Sequence, residues 1–139
     1  MVHALHEAHR VLKPDGLLID LRPAAVHRRI GITRAGRYRQ LGLMREEFDD
    51  DFAANRAVAH VVQQGLFKTE WRTQFDCRRR MDTFAEFRVW MEELITLGKL
   101  PSHAELIQKV ERAFKASHGK REIVVRGPLR LRVLRKLDL

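Results

Sequence analysis

The sequence predicts an α/β chain, an α+β-like fragment of a doubly wound sheet with about four helices on a small three-stranded mixed sheet. Three observations predict it. An amphipathic helical pattern, with Leu5, Ala8 and Leu12 on one face, runs through the turn Pro14-Asp15-Gly16 into the apolar stretch at residues 17 to 21. Residues 67 to 77 then alternate apolar with polar without a break, as a strand with one buried face does. Two further helical patterns between residues 83 and 119 precede a second alternating segment, 121 to 136.

The opening helix and its strand are one α-to-β step. Leu17, Leu18, Ile19, Asp20 and Leu21 are almost all apolar, which predicts cover on both faces, as in a parallel sheet. Residues 22 to 45 hold Arg22, Arg28, Arg29, Arg34, Arg37, Arg39 and Arg45, three glycines and no acid. They read as an ordered loop or short irregular elements. Glu46, Glu47, Asp49, Asp50 and Asp51 open a helix whose Phe48, Phe52, Val58 and Val62 turn inward and which stops at Gly65.

In the strand at 67 to 77, Phe67, Thr69, Trp71, Thr73, Phe75 and Cys77 form the inward parity. Thr83 with Glu86, and Ser102 with Glu105, have the spacing of capping boxes. The helix after the first carries Phe84, Phe87, Trp90, Met91 and Leu94 and ends at Gly98; the helix after the second carries Leu106, Ile107, Val110 and Phe114 and ends at Gly119. Ile123, Val125, Leu129, Leu131 and Val133 share one parity, so the last segment reads as one long strand bent at Gly127-Pro128, with a three-residue hairpin loop as the alternative.

A chain of 139 residues, 45% hydrophobic, is sized for one domain with a core of its own. Cys77 is the only cysteine, which excludes an intramolecular disulfide and a cysteine-based zinc site and fits a reducing, cytoplasmic setting. No apolar run is long enough to span a membrane, and the opening residues, with His3, His6, Glu7 and His9, do not read as the uninterrupted apolar stretch of a signal peptide. A net charge of +9 attracts anionic partners, nucleic acid included.

Glu7, Ala8, Arg10, Val11, Leu12, Lys13, Pro14 and Gly16 resemble the step "E-a-x-R-v-L-k-P-x-G" that leads into the fifth strand of class I S-adenosylmethionine-dependent methyltransferases. The order of elements is similar to that of the same fold beyond its fourth strand. The resemblance implies the C-terminal half of such a domain, with the last-made strand inserted antiparallel, so that the strand at 121 lies between those at 17 and 67. The family's glycine-rich loop and its adenine-holding residues lie in the other half, so no cofactor is expected on the isolated chain. S-adenosylmethionine would bind only if a partner supplied that half.

Other chemistry is sparse. His3, His6 and His9 are spaced like helical metal ligands but lack a carboxylate or cysteine to complete a set. Ser102, His103 and Glu105 are sequence neighbours, which do not face one another on a helix, and Trp71 and Trp90 read as core. Arg22, Arg28, Arg29, Arg34, Arg37 and Arg39 are the candidate anion- or substrate-binding set; Arg78, Arg79, Arg80 and the arginines of the last segment add to it. Without interleaved aromatics, any nucleic-acid binding would be non-specific.

Three functions are expected from these features. The first is a non-catalytic interaction or assembly module, homodimeric through the edge formed by Leu17, Leu18, Ile19, Asp20 and Leu21. The second is the substrate-side part of a split or truncated methyltransferase, inactive alone. The third is a basic nucleic-acid-binding accessory protein.

Overall fold

A computed structural model describes residues 1–138. Among them the elements run α1 (Val2–Val11), β1 (Leu17–Pro23), β2 (Arg29–Arg34), β3 (Arg37–Leu43), α2 (Asp49–Gln63), β4 (Phe67–Met81), α3 (Phe84–Thr96), α4 (Ala104–Ala116) and β5 (Arg121–Lys136). The fold is a mixture of helices and one sheet, as expected. The sheet has five strands instead of three, and it is antiparallel instead of mixed. β5 is a single strand from Arg121 to Lys136, and it pairs with both β1 and β4, the expected neighbours.

The two extra strands are a hairpin inside the stretch read as loop. β2 and β3 pair from Arg29↔Leu43 to Arg34↔Arg37, joined by Ala35 and Gly36. Both turn residues have positive φ, 49° and 73°, the requirement of a two-residue type I′ turn. Alanine seldom adopts that conformation, so the turn carries no familiar signature. A register shift between Ile30 and Gly31 also breaks the alternation, leaving Ile30, Gly31 and Ile32 all buried.

The chain falls into two compact units; β4 and β5 each pass through both. The first comprises residues 1–25, 48–75 and those from 128 onward. Its core is Leu5, Ala57, Val58, Val61, Leu66, Phe67 and Leu134, with Val2, Leu12, Leu18 and Val62 packed around them. In α2 the buried positions are Ala54, Ala57, Val58 and Val61; of the expected set Val58 is buried and Val62 packs at the edge of the core, but Phe48 and Phe52 are not buried. Alanines let the helix backbone come close, and Phe52 is left half-exposed, edge-on to Phe48. Gly65, at φ 74°, ends α2 in a Schellman motif: Leu66 N–H donates to Val61 O, and Gly65 N–H to Val62 O. The C-terminal end of β5 is tied to α1, where Lys136 Nζ donates to Leu12 O.

The second unit comprises residues 26–47 and 76–127. Ile30, Ile32, Leu41, Met44, Met81, Phe87, Met91, Leu100, Val110, Ile123 and Val125 form its core. α3 begins with the expected capping box between Thr83 and Glu86, and Gly98 closes it in a second Schellman motif. The box expected at Ser102 and Glu105 does not form. α4 starts at Ala104 with His103 as its N-cap residue, because the buried His103 ring is anchored to Pro101 O and Arg45 N and holds the backbone there.

β4 departs from its reading as well. Only Phe67 and Met81, at its two ends, are buried; Trp71 and Phe75 are half-exposed instead of core. Helical cover reaches the ends of this strand and leaves its middle in solvent.

Candidate functional site

β1 is a two-faced strand. It pairs antiparallel with β5, setting Leu17 opposite Arg135, Ile19 opposite Val133, Leu21 opposite Leu131 and Pro23 opposite Leu129. Directly opposed residues share a face, so these positions form one apolar surface flanked by Arg135, which is paired with Glu70. Leu17, Ile19 and Leu21 on it are 47%, 65% and 53% exposed. The expected cover on both faces is therefore absent on this one. An antiparallel sheet can leave one face open, which the parallel reading did not allow. Leu18 and Asp20, the other members of the expected edge, point to the opposite face, Leu18 against the core and Asp20 onto Arg22. Among the described residues no strand pairs with the outer edge of β1.

Behind that strand lies a polar block. Asp20 is opposite Arg132 and Arg22 is opposite Arg130, so one carboxylate and three guanidinium groups occupy four adjoining positions. Arg22 grips Asp20 through Nε at 2.6 Å and Nη2 at 2.8 Å. Asn55 of α2 completes the arrangement, its Oδ1 accepting from Arg22 at 3.1 Å and from Arg130 at 3.4 Å. The hydrogen bond to Asp20 raises the Arg22 pKa above its ordinary value, although burial opposes it. The sequence by itself does not single out this block; alternation in Asp20-x-Arg22 and Arg130-x-Arg132 is the one signal that could have found it, and only the pairing of β1 with β5 brings the two together.

The other candidate arginines are dispersed through the second unit. Arg28 makes a fork with Glu46, 2.6 Å at its shortest, and lies over the Trp90 ring, 5.3 Å from its centroid. Arg79 also lies over that ring, at 5.4 Å. Arg29 approaches Asp76 at 3.7 Å, a carboxylate also met by Arg126 at 2.8 Å and Arg78 at 3.5 Å. Arg34, Arg37 and Arg39 are exposed along the hairpin and make no hydrogen bond or ion pair with a described residue. Arg34 lines an open cleft with Arg80, His118, Lys120, Arg121 and Glu122. Arg22 is thus the one member of the predicted set in the β1 block, and the other five belong to the second unit.

Tyr38 is a less expected feature of that unit. Its hydroxyl is buried without a hydrogen-bond partner, and Arg126 lies over its ring at 5.0 Å. Burial pushes the phenol upward, while the charges of Arg126 and Arg29 pull the other way.

Metal and nucleophile chemistry finds little support among the described residues. No group of three or more His, Cys, Asp or Glu residues converges. His9 packs edge-on against Phe67 and hydrogen-bonds Leu137 O, while His3 and His6 are exposed. The His103 ring is spent on two backbone groups, and Cys77 is exposed. No described helix is long and apolar enough to cross a membrane. Comparison with family models, with curated proteins and with solved structures finds no match.

Proposed function

We propose that the chain is a non-catalytic assembly module that pairs through β1 with a second copy of itself. The observation that carries this reading is the row Leu17, Ile19 and Leu21, half-exposed or more on a strand with no described partner along its outer edge. Such an edge offers free amides and carbonyls, and the exposed row has no charge to discourage pairing. Two copies meeting antiparallel about a twofold axis bring the same residues together from each side.

Cross-strand contact at the seam covers part of the exposed area of these three side chains from each copy, contributing about 1 kcal/mol apiece and roughly 6 kcal/mol in all. Added strand hydrogen bonds must offset an association cost of about 4 kcal/mol or more, which places the dimer in the micromolar range. Descent from a methyltransferase half belongs to the same reading. It is supported by the stretch from Glu7 to Gly16 and by β5 pairing with both β1 and β4. S-adenosylmethionine is then no ligand of the chain alone, and a complementary half is the competing occupant of β1.

Sedimentation velocity from about 1 to 100 μM tests the reading. The native chain dimerises in that range, and Ile19→Lys weakens the dimer by about tenfold or more, because the apolar contact across the seam is lost and the twofold brings like charges together. A monomer at every concentration refutes the homodimer.

A further inference from the structure

We propose that Arg132 and Arg130, backed by Arg22 and Asn55, form a binding site for a phosphoryl group carried as free phosphate or as a phosphomonoester. The three arginines lie on one face of the β1–β5 pair and Asn55 reaches them from α2, all within the first unit. Arg22 is committed to Asp20 by a two-pronged ion pair. Arg130 is held only by a 3.4 Å hydrogen bond to the neutral Asn55. Arg132, half-buried, makes no hydrogen bond or ion pair with a described residue although it stands directly opposite Asp20.

The charge balance points the same way. Arg132 meets the like charges of Arg130, Arg22 and Arg72 against the carboxylate of Asp20, which Arg22 already occupies. Burial holds the Arg132 guanidinium below its ordinary value, Asp20 counteracts this, and the like charges of Arg130, Arg22 and Arg72 add to the depression. A half-buried cation surrounded by its own sign gains on meeting a doubly charged anion, more than an exposed arginine in salt would.

Donor geometry favours a phosphoryl group over a point anion. The planar fork of an unpartnered guanidinium matches two phosphoryl oxygens. Because Asn55 Oδ1 accepts from two guanidinium groups, the amide orientation is set, and its NH2 group, which has no described partner, remains a further donor. The exposed arginines of the hairpin lack this preparation.

Calorimetric titration of the full chain with inorganic phosphate and, separately, with phenyl phosphate, at ionic strength matched by chloride, tests the site. The native chain binds one equivalent of at least one of the two, and the tighter ligand identifies the source of the phosphoryl group. Arg132→Gln lowers the affinity about tenfold or more, Arg132→Lys, which keeps the charge and loses the fork, falls between, and Arg112→Gln on the exposed side of α4 is unchanged. If Arg132→Gln does not fold, Arg132→Lys carries the test alone. No binding of either ligand at about 10 mM, or native affinity in both Arg132 variants, overturns the proposal.

Discussion

Gly31→Ala is the sharpest test of the hairpin that carries most of the candidate arginines. Gly31 lies at the register shift in β2, opposite Gln40 of β3. A Cβ placed there would run into Arg39 O and meet two carbons of the Tyr38 ring at 2.6 Å. The ring could swing aside, but the carbonyl is backbone, so relief requires the two strands to separate by roughly 1 Å. Overpacking costs about 1–3 kcal/mol, and against a backbone carbonyl that cannot rotate away the cost sits near the upper end, while the lower chain entropy of alanine in the unfolded state returns about 0.4–1 kcal/mol. The net expectation is a loss of about 2 kcal/mol, or about 4–8 °C in Tm. Gly36→Ala is the matched control: its Cβ meets nothing, and only φ 73° opposes it, so it should cost about 1 kcal/mol. Urea unfolding followed by far-ultraviolet circular dichroism, with both variants beside the native chain, measures the difference. A Gly31→Ala midpoint equal to the native one, or above that of Gly36→Ala, would refute the close approach of β2 and β3.

Three further outcomes are expected. Phe87→Ala removes a fully buried ring from the second core and should cost about 3–5 kcal/mol in urea unfolding, where an exposed site would lose less than about 0.5 kcal/mol. Thr83→Ala breaks the α3 capping box and should cost about 1 kcal/mol, whereas Ser102→Ala should be near neutral, since no box forms there; equal losses would contradict the assigned start of α4. Burial raises the Asp76 pKa, but hydrogen bonding from Arg126 and the charges of Arg126 and Arg29 outweigh it, so the folded value lies below the ordinary carboxylate range. Its contribution is therefore present above the unfolded value and lost as pH falls through the folded one, below about pH 4. Asp76→Asn should accordingly lose less stability than the native chain between neutral pH and pH 3, and an identical loss would remove Asp76 as a source of the acid sensitivity.

Local rules were legible in the sequence wherever one residue satisfies its own neighbourhood. The Thr83–Glu86 box, the stops at Gly65 and Gly98 and the unbroken run of β5 all depend on contacts a few residues apart or on simple parity. The hairpin was not legible, because its solvent face is arginine, its turn is Ala-Gly and its register slips at Gly31. Alternation along β4 was visible, yet which residues of that parity are buried depends on how far helical cover extends over the strand. Trp71 and Phe75, chemically fit for a core, are half-exposed. The apolar row of β1 was apparent as composition, but only antiparallel pairing with β5 separates Leu17, Ile19 and Leu21 from Leu18 and Asp20. The arginine block depends still more on tertiary structure. Asp20 and Arg132 are far apart in the chain and become neighbours through strand register, a long-range property that no local pattern encodes.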